Sequence, residues 1–213
     1  ASLAALADGI RAVEEVEGLR AGEVRLGAGA TACSYLLPPA LVSFAAAHPG
    51  IRYFLRENTT DESLDELARG ELDLAIADEG DDEWFVDELI LVAAPDIDPK
   101  QAPFVTLRPG ATTRALLDEH FPDVDIVMEL GSITSMKGNV RAGIGLALVS
   151  RHAVVNDLRE GRLVRVRDPR TPVRRPLHLA HRGLDRLPPA VAALRELLLS
   201  PAATRHLRKR RRR

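Results

Sequence analysis

A chain of 213 residues, 46% hydrophobic and 28% charged, is long enough to bury one large core or two small ones under a solvated surface. Cys33 is the single cysteine and no apolar run approaches the roughly 18 residues of a membrane span, so a metal-free, disulfide-free fold in a reducing, cytoplasmic setting is expected, with no membrane partner. Removing the seven Lys and Arg from Arg205 onward from the formal charge of −2 leaves −9, and so acidic a body is a poor polyanion binder.

Leu3, Leu6, Ile10 and Val13 alternate three and four apart, as a coiled-coil seam requires. Two heptads are marginal alone in water, so this segment is expected either to pack on the body or to end a longer helix; it lacks the order of a secretory signal. Val24, Leu26 and Ala28 then predict a short strand, followed by the turn Gly27 to Thr31. Leu37, Leu41, Phe44 and Ala45 repeat at helical spacing; Pro38 and Pro39 suit only a first turn, and His48-Pro49-Gly50 stops the helix. Ile51, Tyr53 and Leu55 alternate as a strand. Asn58, Thr59 and Thr60 offer capping oxygens to a helix carrying Leu64 and Leu67, Gly70 stops it, and Leu72 to Ala77 reads as a buried strand.

This β-α-β-α-β unit recurs. A shift of 73 aligns Pro49 with Pro122, the strand Ile51, Tyr53, Leu55 with Val124, Ile126, Met128, Gly70 with Gly143, and Leu74 and Ile76 with Ala147 and Val149. Upstream, Val24 to Thr31 corresponds to Phe104 to Thr113. Between the copies Leu89 to Ala93 reads as a strand and Pro95 to Pro103 as a connector. Beyond them lie strands at Leu163 to Val166 and Leu177 to Ala180, a connector from Pro169 to Pro176, and a helix from Pro188 to Leu199. The expected fold class is α/β: two Rossmann-like lobes joined by two crossover connections, lobe I being 23–95 with 175–200 and lobe II 101–168. The basic tail 201–213 is expected to be a solvated, disordered end.

Several strings resemble the regulatory domain of LysR-type transcription regulators, over Glu23 to about Leu199. Val24-Arg25-Leu26-Gly27 with Leu36-Leu37-Pro38-Pro39 and His48-Pro49-Gly50-Ile51 is similar to that family's first strand, helix and turn. Gly70-Glu71-Leu72-Asp73-Leu74-Ala75-Ile76 and Val140-Arg141-Ala142-Gly143-Ile144-Gly145-Leu146-Ala147-Leu148-Val149 resemble two further signatures, with Ser150 where the family usually has Pro and an abbreviated segment at Asp81 to Asp87. The resemblance implies a type 2 periplasmic-binding-protein-like fold, residues 1–20 as the end of a dimerisation linker helix, inducer capture between the lobes, homodimer or homotetramer assembly, and DNA contact only through an absent N-terminal helix-turn-helix.

Anion binding favours turns where strand ends meet helix N-termini, since unpaired N–H groups and the positive end of the helix dipole converge there. The ligand-binding candidates are Thr31, Ser34, Thr60, Thr106, Ser132 and Thr134; the bland reading of each is a helix cap. They point to a small-molecule effector, a carboxylate or other oxyanion. Asp78 ends a central strand and reads as a solvated carboxylate or a cation holder. Cys33, near a helix start, is either a redox-sensitive thiolate or an inert packed thiol. His178 and His181 sit three apart on a strand and face opposite ways, so no metal site is expected. No phosphate loop, nucleophile elbow or carboxylate pair is present, so neither a cofactor nor catalysis is expected. A transporter's solute-binding protein, or a dehydratase or pyrrole-polymerising transferase on the same fold, remains the alternative reading.

Overall fold

The computed structural model describes residues 21–211, so the heptad seam expected over 1–20 lies outside the described residues. The chain divides into two compact units, one of Ala1–Phe85 with Pro176–Arg213 and one of Val86–Arg175.

In the first unit β1 (Gly22–Ala28) leads through a helical turn into α1 (Pro38–Ala47), β2 (Ile51–Glu57), α2 (Thr60–Arg69) and β3 (Leu74–Ala77). β1 pairs in parallel with β2 on one side and β3 on the other. That arrangement follows from crossovers passing on opposite faces. Leu36 and Leu37 of the helical turn and Ala40 and Phe44 of α1 share a core with Val24, Leu26 and Ile76, while Leu67 of α2 packs with Leu72 and Ala75 in a separate cluster. Gly70 closes α2 in the left-handed region at φ 77°, so the chain can reverse into β3. Immediately after, Asp73 accepts from Arg25 Nη2 at 2.6 Å and from Arg25 Nε at 3.1 Å, its side chain sealed from solvent. The Gly-x-Leu-Asp signature is thus a helix stop, a core residue and an ion-pair partner in sequence.

β4 (Asp82–Ala93) carries the chain from one unit into the other, twelve residues long where the sequence suggests a five-residue strand from Leu89. Its acidic opening hides a strand because the charges are answered from far along the chain: Asp82 accepts from Arg195 Nε at 2.6 Å while Trp84 and Phe85 enter the core. The unit boundary therefore falls at 85/86, ahead of the lobe end expected at 95.

The second unit repeats the first. β5 (Phe104–Leu107), α3 (Thr112–His120), β6 (Ile126–Leu130), α4 (Ile133–Arg141) and β7 (Ala147–Ser150) follow the same succession, with β5 parallel to β6 and bridged in parallel to β7 through Leu146. Gly145 allows that bridge: a Cβ there would lie 2.2 Å from the Pro103 carbonyl, which accepts from Leu146 N–H at 2.8 Å. α5 (Arg151–Arg159) and β8 (Val164–Val166) complete the unit, and β4 runs antiparallel to both β7 and β8. Leu89, Leu91, Phe104, Leu117, Phe121 and Leu148 form its core.

β9 (Val173–Ala180) returns the chain to the first unit, with Ala75 to Ala77 of β3 antiparallel to His178 to Ala180. Pro176, expected in a connector, lies inside this strand. α6 (Pro189–Leu199) buries Ala190, Val191, Leu194 and Leu198 in the first core. The tail departs from expectation: 201–211 form α7 (Pro201–Arg211) rather than a disordered end. Pro201 suits a first turn, Ala202 and Ala203 are strong helix formers, and Leu207, 3% exposed, anchors the helix in the first core.

Candidate functional site

In the first unit, two turns meet at the carboxyl ends of β1 and β2. Ala28 is in register with Glu57, and Asn58 N–H donates to the Ala28 carbonyl at 3.1 Å. The strand order β2-β1-β3 puts both turns at the carboxyl ends of neighbouring parallel strands, the end of an open α/β sheet at which ligands bind. After β1 the chain enters a helical turn, and Ala32 to Leu36 wind one residue wider than an α-helix, closed by Leu37 N–H donating to the Ala32 carbonyl at 2.9 Å. Such wide turns concentrate at functional sites. Thr31 stands at its start, buried, its side chain making no cap hydrogen bond; Ser34 is exposed within the same turn.

α2 begins beside it. The cap is Thr59: its hydroxyl accepts from Glu62 N–H at 3.2 Å and its own N–H donates to the Glu62 carboxylate at 2.8 Å. Thr60, half-buried, is the first helical residue and is spared the capping role. The structure thus places Thr31, Ser34 and Thr60 on two adjacent helix starts.

In the second unit Ser132 caps α4, accepting from Ser135 N–H at 3.1 Å and donating to Ser135 Oγ at 2.9 Å, with exposed Thr134 one residue inside. Thr106 is different: it lies within β5 opposite Glu129 and is buried, so it does not join Ser132 and Thr134 at the strand end.

Burial first, and the charge of Glu57 second, push the Cys33 thiol up to about 12. Its sulfur donates to the Ala28 carbonyl at 3.3 Å, which fits an inert thiol bracing the two strand ends. Asp78 is exposed, and its backbone carbonyl stands 2.8 Å from His178 Nδ1. His181 instead lies 3.5 Å from Asp82 and 3.8 Å from Asp81. Among the described residues no group of three or more His, Cys, Asp or Glu could hold a metal, and no helix is long and apolar enough to cross a membrane.

Sequence reasoning missed the buried polar centres of the second unit. Arg175 on β9 donates to Asp87 on β4 at 2.7 Å and to Thr113 at 3.1 Å, while Ser150 donates to the other Asp87 oxygen at 2.9 Å. Asp157 on α5 takes Lys137 at 2.9 Å, Arg162 at 3.0 Å and Arg141 at 3.2 Å. The helical spacing of Lys137 and Arg141 was the available signal for the second; nothing local marks the first.

Two α/β halves of repeated strand order, joined by two chain crossings, define a type 2 periplasmic-binding-protein-like fold. The LysR substrate binding domain profile matches residues 17–202, and the chain belongs to that family as a LysR-type effector-binding domain. It is 33% identical over 170 residues to the phosphonates import ATP-binding protein PhnC of Anaeromyxobacter dehalogenans, covering 68% of this chain and 34% of that protein. It is 29% identical over 221 residues to the HTH-type transcriptional regulator CbbR of Rhodospirillum rubrum, covering 95% of this chain and 74% of the regulator. Thus the chain spans about a third of the length of the first relative and about three quarters of the second. The regulatory domain of Synechocystis PCC6803 CcmR, solved in complex with 2-PG, superposes with a TM-score of 0.71 at 20% identity, covering 87% of this chain and 98% of that one; this likeness shows the fold.

Proposed function

We propose that the domain senses a small oxyanion metabolite at the two adjacent turns of the first unit, within a full-length transcription regulator. The observation that carries the reading is the buried Thr31, which makes no cap hydrogen bond, on the turn beside Thr60 at the start of α2, where Thr59 does the capping. Helix starts supply N–H donors and a positive dipole end, and the hydroxyls add oriented donors. The 2-PG bound by the CcmR domain and the CbbR relationship support an anionic metabolite and a regulator in preference to a transporter subunit or an enzyme.

The rest of the reading belongs to the whole protein: an N-terminal helix-turn-helix makes the DNA contact, and copies of this domain assemble as a homodimer or homotetramer. Exposed Val42, Phe54 and Leu55 around the edge strand β2, and exposed Val127 on β6, support pairing with a second copy. Calorimetric titration with 2-PG tests the sensing reading. Binding should weaken in Thr31→Ala and Thr60→Ala; unchanged affinity in both would remove these turns from the site.

A further inference from the structure

The second unit carries a groove of about 650 Å³ lined by Arg165, Arg167, Asp168, Pro169 and Thr171, a volume in the range of small-molecule sites. Arg165 lies on β8, whose ladder partner is β4, and Arg167 follows two positions on, the spacing that places side chains on one face of an extended chain. The facing loop is braced from within. Asp168 accepts from Arg170 N–H and Nε at 2.9 Å and from Arg170 Nη2 at 2.7 Å, and its backbone carbonyl accepts from Thr171 N–H and Thr171 Oγ1 at 3.0 Å. Arg170 also sits 3.9 Å over the Phe121 ring. Those hydrogen bonds from Arg170 hold the Asp168 carboxyl below the usual carboxylate range, so the one acid in the lining is already neutralised by its own neighbour.

The arginines of this stretch divide by role. Arg162 and Arg170 serve Asp157 and Asp168, and Arg175 serves Asp87. Arg165 and Arg167 make no ion pair among the described residues, yet both line the groove. Two uncommitted guanidiniums beside a rigid, charge-compensated wall present several fixed N–H donors to one small acceptor.

We propose that this groove is a second anion site, taking a small dianion of the phosphate-monoester class between Arg165 and Arg167, on residues separate from Thr31 and Thr60. Phosphorus NMR and calorimetric titration of this chain with glycerol 2-phosphate, at constant ionic strength, test it. The double variant Arg165→Ala/Arg167→Ala should lose roughly tenfold or more in affinity for one saturable site, with an unchanged circular dichroism spectrum. The same site should persist in Thr31→Ala/Thr60→Ala, which separates this proposal from the sensing turns, and in Arg52→Ala, which removes an exposed arginine of the first unit. Full affinity in the arginine double variant would overturn the site. An equal loss in Arg52→Ala would reduce it to general surface charge and overturn it too. Malonate competing as well as the phosphate ester would overturn the phosphate class.

Discussion

Arg175 and Asp87 meet at 2.7 Å with side chains 7% and 0% exposed, eighty-eight positions apart in the chain and on the two strands that cross between the units. Thr113, Ser150 and the Glu88 N–H, which donates to Asp87 Oδ1 at 2.9 Å, satisfy further valences, while Arg175 Nε has no hydrogen-bond partner among the described residues. Breaking such a pair leaves a buried charge stranded, whereas replacing both members with apolar residues removes the desolvation penalty as well. Arg175→Met is expected to destabilise the protein by about 3–5 kcal/mol, and Arg175→Met/Asp87→Leu by distinctly less. Urea unfolding of the two variants checks this; a double variant as unstable as the single one would contradict it.

Acid should weaken the second unit through Asp157. Burial pushes this carboxyl up, but hydrogen bonds from Lys137 and Arg162, with the charges of Lys137 and Arg141, outweigh burial and leave it below its ordinary value of 3.8. A folded-state value below the unfolded one means stabilisation that is present above that ordinary value and lost as pH falls through the folded one. Thermal melting between pH 6 and 3 should show a steeper decline for the parent protein than for Asp157→Asn, which should be less stable at neutral pH. Parallel declines would remove Asp157 as the cause.

Cys33 should behave as an inert thiol. With its value at about 12, the thiolate fraction at pH 8 is on the order of one in ten thousand, and the thiolate is the reactive form. Iodoacetamide labelling of the folded protein should be far slower than that of free glutathione. Rapid stoichiometric labelling would restore the redox-sensing alternative.

Neighbouring threonines should separate stability from binding. Thr59→Ala removes the capping oxygen of α2 and should lower stability by about 1 kcal/mol. Thr60→Ala leaves the capping box intact, and its effect should appear in effector affinity. Equal destabilisation by both substitutions, measured by thermal melting, would contradict this division.

Much of this architecture was legible because the duplication is written in register. α2 and α4 begin at Thr60 and Ile133 and β3 and β7 at Leu74 and Ala147, each pair separated by the same 73 positions, and Gly70 and Gly143 both take positive φ, 77° and 85°. Features settled by distant partners were not legible. The start of β4 looks like an acidic loop until Arg195 supplies its counter-charge, and 201–211 look like a solvated tail until Leu207 finds the first core. At the candidate site, the hydroxyl pattern pointed to two turns that the structure sets side by side but could not assign Thr59 to capping over Thr60, since that depends on the Glu62 carboxylate reaching back to the Thr59 N–H. Thr106 showed the converse error: a hydroxyl near a strand end in the sequence lies inside the strand and is buried.

The most direct test of the central claim is a nitrogen-15 NMR titration of the chain with 2-PG. The largest and saturable shifts should fall on the amides of Ala30 to Cys33 and Thr59 to Asp61, and should disappear in Thr31→Ala/Thr60→Ala. Saturable binding that leaves those amides unmoved would contradict effector capture at the ends of β1 and β2.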